Sequence, residues 1–310
     1  MRAVFLGTPE FAVPSLRRLA ARHDVAAVFT QPDRPKGRGN QLAESPVKQA
    51  ARELSLPVHQ PERVRRPESF ELLRSLCAEI MVVVGYGQII PQSVIDLPPL
   101  GILNVHASLL PKYRGAAPIQ WAIANGETET GVTIMQIDAG LDTGDMLRKA
   151  TLKIAPDETA PQLSGRLAPL GAEILLETMA AIEAGTAEPE KQNNAEATLA
   201  PILKKEDGLV QWQRSACEIY NRFRGFNPWP GAYTTFRGQQ LSITSAALSD
   251  ASHLRPGQCS IHNKKLVAGC GANTSLELKE VQLAGKKRMS GEAFLNGYKP
   301  AAGETFGALS

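Results

Sequence analysis

Three features predict an α/β protein with a doubly wound, mostly parallel sheet domain followed by a small OB-like β-barrel. Strand-like runs alternate with amphipathic stretches through the first half, residues 80 to 84 form an unbroken apolar run, and short turn-bounded strands take over after residue 230. The chain opens with RAVFLG at 2 to 7, whose apolar run reads as a strand, and residues 10 to 22 read as a helix. A second strand is expected over 25 to 30, a helix over 45 to 54, a short strand near Val58 and a helix over 68 to 76. Strands at 79 to 84 and 101 to 106 follow, and the continuous hydrophobicity of the first is what burial on both faces of a parallel sheet requires. TGVTIMQI and DMLRKATLKI, at 130 to 137 and 145 to 154, lie close enough in sequence to pair antiparallel, and a helix over 159 to 185 closes the domain.

Residues 189 to 207 are polar and poor in apolar anchors, so they read as a linker between a first domain, 1 to 188, and a second, 208 to 310. In the second, a helix over 215 to 225 precedes strand candidates at 232 to 236, 241 to 248, 257 to 262, 264 to 269 and 275 to 283. FNPWPGA, at 226 to 232, suits a packing joint with Trp229 in the core.

Composition narrows the class. The 310 residues suggest about two domains, and 43% hydrophobic with 21% charged residues is ordinary for a globular protein. The apolar runs are too short for a bilayer span, and Glu10 interrupts any signal-like segment. Cys77, Cys217, Cys259 and Cys270 form no CxxC pair, so a reduced, cytoplasmic protein without a structural metal is expected. GTPEFA carries only Gly7 of the three glycines a dinucleotide fingerprint needs, and no GxxxxGK[ST] run is present, which argues against nicotinamide and nucleoside triphosphate chemistry. The net charge of +3 is uneven: residues 209 to 310 hold twelve Lys or Arg against six Asp or Glu, while the rest holds 22 against 25. A basic second domain fits either a polyanionic partner or a solvated basic surface.

The richest stretch is NVHASLLPKYRG, residues 104 to 115. Alternate side chains of a strand share a face, so Asn104 and His106 point together at a strand's carboxyl end, where parallel sheets place their ligands. Asp142, in the Gly-flanked loop IDAGLDTGD, is a third candidate: hydrogen bonded to His106 it would set the tautomer of the imidazole. Asp138, Asp142 and Asp145 do not match a calcium loop. Taken singly, the histidine could be a satisfied structural residue and the asparagine a loop brace.

NVHASLLPKYRGAAPI followed by GVTIMQIDAGLDTGD resembles the folate-dependent formyltransferases, and FLGTPEFA, TQPDRPKGRG, FNPWPGA and the basic tail extend the likeness over essentially the whole chain. The resemblance implies a Rossmann-like catalytic domain and transfer of a formyl group from 10-formyltetrahydrofolate to the α-amino group of methionine on initiator methionyl-tRNA, without metal or nicotinamide. It puts Asn104, His106 and Asp142 at the family's catalytic positions and Ser108, Leu109, Leu110 and Pro111, with Tyr86 and Gly115, against the folate. It also implies that the loop at 31 to 43, with Arg34, Lys36 and Arg38, reaches the tRNA acceptor end, and that Lys286, Lys287 and Arg288 meet phosphates. The enzyme is expected to act as a monomer. A formyltransferase for a small amine and a non-catalytic RNA-binding protein are the competing readings.

Overall fold

The computed structural model describes all residues except 37–40 and 308–310. Its first half forms the strands β1 (Arg2–Gly7), β2 (Asp24–Phe29), β3 (Arg34–Lys36), β4 (Gln41–Ala43), β5 (Val58–His59), β6 (Ile80–Val84), β7 (Ile102–His106), β8 (Glu129–Gln136) and β9 (Met146–Lys153). The helices are α1 (Val13–Ala20), α2 (Pro46–Glu53), α3 (Pro67–Ser75), α4 (Gln92–Ile95), α5 (Pro118–Ala124) and α6 (Ala160–Glu183). Helix starts follow local chemistry: Pro46 occupies the first turn of α2, and the Ser45 hydroxyl accepts from the Lys48 N–H.

Seven strands form one sheet in the order β5-β2-β1-β6-β7-β8-β9, parallel from β5 to β7 and antiparallel for the last two pairings. All five residues of β6 are buried, as its unbroken apolar sequence predicts. Chain order reverses between β1 and β6, and there the loops after β1, β2 and β6 are tied together: Thr8 Oγ1 and Gln31 Nε2 both donate to the Tyr86 carbonyl, each at 3.1 Å. The long loop after β2 is not wholly irregular, since β3 and β4 pair antiparallel at its base. Gly171 brings α6 onto the sheet; a Cβ there would lie 2.8 Å from Val105 Cγ1 and 3.2 Å from Val132 Cγ1. The helix therefore covers the face of β7 that carries Val105, leaving Asn104 and His106 on the opposite face.

The chain divides into two compact units, Met1–Pro118 with Glu129–Lys153 and Gln162–Pro201, and Ile119–Thr128 with Ile154–Pro161 and Ile202–Ser310. Two short excursions from the first half thus belong with the second unit. The second unit contains α7 (Ala216–Gly225), β10 (Ala232–Phe236), β11 (Gln239–Ser249), β12 (Cys259–His262), β13 (Lys265–Cys270), β14 (Thr274–Leu283), β15 (Met289–Ser290) and α8 (Gly291–Tyr298). Its strands run β10-β11-β14-β13-β12 antiparallel, with β15 on β14, around a core that includes Trp212, Phe236, Phe294 and Phe306.

The OB-like barrel takes an open form. Among the described residues the edge strands β10 and β12 do not pair; residues 304 to 307 run between them instead. Cys259 N–H donates to Glu304 O at 2.8 Å, Phe306 N–H to Gly257 O at 2.7 Å and Gly307 N–H to Thr235 O at 2.9 Å. Trp229 departs from expectation: it is 55% exposed, while Phe226 is 1% exposed and meets Trp121 edge-on at 5.3 Å. Composition identifies an aromatic cluster but not which ring faces inward. Here the turn closed by Gly231 N–H on Phe226 O leaves Phe226 buried and Trp229 outside.

Candidate active site

At the carboxyl end of β7 the structure brings Asn104, His106 and Asp142 together. Asn104 Nδ2 donates to Asp142 Oδ1 at 3.3 Å, and His106 Nδ1 lies 3.7 Å from Asp142 Oδ2. Gly115 N–H donates to that same Oδ2 at 2.8 Å. Asp142 sits at φ +51°, a left-handed conformation that aspartate tolerates better than most residues. Its neighbour Asp138 is bound within the loop by Thr143 Oγ1 and Gly140 N–H.

The other imidazole nitrogen settles the tautomer. His106 Nε2 is 2.9 Å from the Tyr113 carbonyl, which can only accept, so Nε2 carries a proton. In the neutral ring Nδ1 is then the acceptor, facing the carboxylate. This corrects one expectation from sequence: the Tyr113 carbonyl, not Asp142, fixes the tautomer, since Asp142 Oδ2 stands at 3.7 Å, beyond hydrogen-bond range. Tyr113 is itself left-handed, at φ +61°, and 7% exposed; its N–H donates to Thr198 Oγ1 at 2.9 Å. A bulky residue seldom adopts this conformation, and here it turns the carbonyl toward His106.

The loop after β7 is braced from β8. Thr133 stands opposite His106 in the antiparallel register; its hydroxyl donates to Ser108 O at 2.7 Å and accepts from Leu110 N–H at 3.1 Å. Ser108 is fully buried, with its hydroxyl on Lys112 O at 2.6 Å. Leu110 packs with Met135 and Met146, Leu109 lies over Gly131, and Pro111 is half-buried. Gly115, at φ +121°, passes so near the chain that a Cβ would stand 2.7 Å from Ala200 O. The Tyr86 ring belongs to the core, 1% exposed, and burial pushes its phenol well above the usual range.

The basic candidates are dispersed along the chain. Arg34 is exposed with Nη2 3.5 Å from Gln31 Oε1, Lys36 ends β3, and Arg38 lies outside the described residues. Lys286, Lys287 and Arg288 are exposed on the turn after β14, Arg288 3.7 Å from Glu280. Sequence reasoning missed Thr133, Arg114 and Gln192. Arg114 and Gln192 form a pair in which Arg114 Nε and Nη2 donate to Gln192 Oε1 at 3.0 and 2.7 Å. The signal for Arg114 was present in KYRG; that for Gln192, inside a polar stretch, was not.

The profile described as formyl transferase matches residues 1–179, and that described as formyl transferase, C-terminal domain, matches residues 202–299. The chain belongs to the formyl transferase family. Family relatives match it end to end. A protein of Koribacter versatilis named methionyl-tRNA formyltransferase is 59% identical over 312 residues, covering 100% of both chains. One of the same name from Solibacter usitatus is 60% identical over 309 residues, covering 99% of each. Among solved structures, a sugar 3N-formyl transferase determined in the presence of dTDP and 5-N-formyl-THF superposes with a TM-score of 0.67 at 18% identity, over 93% of this chain and 99% of that one. That likeness is one of formyl transferase fold.

Proposed function

We propose that this formyl transferase moves the formyl group of 10-formyltetrahydrofolate to the α-amino group of methionine on initiator methionyl-tRNA. The meeting of Asn104, His106 and Asp142 at the end of β7 carries the chemistry of this reading, and the full-length relatives at 59% and 60% identity support its acceptor. An α-amine with an ordinary pKa of about 8 is partly nucleophilic near neutral pH, so it can attack the formyl carbon directly. The new N–C bond forms, negative charge gathers on the formyl oxygen, and the bond to the folate nitrogen then breaks. A carboxamide has two N–H groups. One of Asn104's reaches Asp142, and the second serves the oxyanion. The Asp142 carboxylate, with His106 Nδ1 beside it, takes the proton that the amine loses and returns it, directly or through water, to the leaving folate nitrogen.

The folate would lie against residues 108 to 111 and Gly115, with Tyr86 contributing the backbone of its turn rather than its buried ring. Arg34, Lys36 and Arg38 in the loop after β2, and Lys286, Lys287 and Arg288 in the basic tail, would contact phosphates, giving affinity without base reading.

The test is formyl transfer from 10-formyltetrahydrofolate to charged initiator tRNA, with an amino-sugar nucleotide as the competing acceptor. Asn104→Ala should lower kcat by roughly 100- to 1000-fold, the loss typical of one oxyanion donor, while the KM for tRNA moves little. Transfer to the amino-sugar alone would replace the acceptor, and an unchanged kcat in Asn104→Ala would remove that residue from the reaction.

A further inference from the structure

The polar stretch after α6 does more than connect. Residues 190 to 200 return along the site: Glu190 and Met146 exchange two backbone hydrogen bonds of 2.8 Å, Arg114 N–H donates to Thr198 O at 2.9 Å, and Ala200 N–H donates to Arg114 O at 2.7 Å. From this strap Gln192 reaches the aspartate loop. Its Nε2 donates to the carbonyls of Asp142 and Gly144, each at 2.8 Å, while its Oε1 takes both Arg114 donors. Every hydrogen-bonding position of this amide is filled, and its orientation is dictated: reversed, the NH2 would face a guanidinium and the oxygen two carbonyls. Arg114 is 7% exposed, is also held by Asn194 Oδ1 at 2.8 Å, and precedes the Gly115 N–H that grips the Asp142 carboxylate.

The contacts close a ring from carboxylate to Gly115 backbone, Arg114 guanidinium, Gln192 amide and back to the Asp142 carbonyl. A left-handed aspartate is held at both its backbone and its side chain. We propose that Gln192, locked by Arg114, is a positioning residue for formyl transfer that sets the aim of the Asp142 carboxylate. This rests on the reaction role given to Asp142 above. Gln192 bonds to the Asp142 and Gly144 carbonyls and to Arg114 but not to Asn104, His106 or the Asp142 carboxylate, so on this proposal its effect on turnover passes through Asp142.

That restriction supplies the test, which is a double-mutant cycle on the full-length enzyme with both substrates. Gln192→Leu should lower kcat about 10- to 100-fold, as loss of an outer supporting hydrogen bond commonly does, with KM for folate and tRNA within about twofold of the parent. In an Asp142→Ala background the same change should lower kcat no further. Gln192→Glu keeps the Arg114 partner and removes both donated bonds; assayed well below its own melting temperature it should reproduce the kcat loss, so a folding defect in the leucine variant leaves the question answerable. Losses that multiply in the double variant, or a normal kcat in Gln192→Glu beside an impaired Asp142→Ala, overturn the brace. An Asp142→Ala enzyme with unchanged turnover overturns the reaction role itself, and the brace with it.

Discussion

Two left-handed residues without glycine's freedom, Tyr113 and Asp142, face one imidazole from opposite sides, and each is held by hydrogen bonds to neighbouring chain. Such conformations persist where surrounding contacts over-determine them, as happens at reactive sites. Thr133 shows how the support extends. Its single hydroxyl closes the loop after β7 by donating to Ser108 O and receiving Leu110 N–H. Thr133→Val preserves shape and β-propensity but strands a buried N–H and a buried carbonyl, a change that costs about 1–3 kcal/mol. Urea denaturation should register that loss. If the loop faces folate as proposed, the KM for 10-formyltetrahydrofolate should rise while that for tRNA stays near the parent value; equal changes in both would detach the loop from the folate.

At the scale of elements, the site depends on how closely α6 approaches the sheet. Gly171 permits that approach, and the helix in turn holds Val105, whose strand aims Asn104 and His106 to the other side. Gly171→Leu would force several atoms into a space already closed at the first, and overpacking of this kind destabilises by about 1–3 kcal/mol even after the helix-propensity gain is counted. The expected result is a lower urea midpoint together with reduced turnover, since β7 would shift with the helix. A midpoint at or above the parent's would mean that α6 does not set the position of the strand. In the second unit, α7 starts with a full capping box, in which Ser215 Oγ accepts from Glu218 N–H at 3.3 Å and Glu218 accepts from Ser215 N–H at 2.9 Å. Local sequence alone accounts for that helix start.

For the molecule as a whole, pH enters through a half-buried histidine. His59 lies at the edge of the parallel sheet with its ring 5.1 Å from Phe29, and burial lowers its pKa below the ordinary 6.5. The unfolded chain therefore binds this proton more readily than the folded one. Stability contributed by neutral His59 is complete above about pH 6.5 and is lost as pH falls toward the lowered folded value. Urea midpoints should decline between pH 7.5 and 5.5, with a shallower decline in His59→Gln; an identical slope in that variant would assign the effect to other groups. Cys259 and Cys270, both pushed up to about 12 by burial, remain thiols throughout this range.

What the sequence determined by itself was whatever depends on near neighbours: the run of β6, the alternation that pairs Asn104 with His106, the Ser and Pro helix starts, and the strand spacing of the basic unit. Periodicity and capping act within a few residues, so a linear reading recovers them. Only the tertiary structure decided which partners lie far away in the chain. It placed Gln192 under Asp142, gave the His106 Nε2–H to Tyr113, turned Trp229 outward, and sent residues 304 to 307 along the gap between β10 and β12. Each choice satisfies a buried polar group or fills a core with atoms from a distant segment, and no local pattern encodes which segment will arrive.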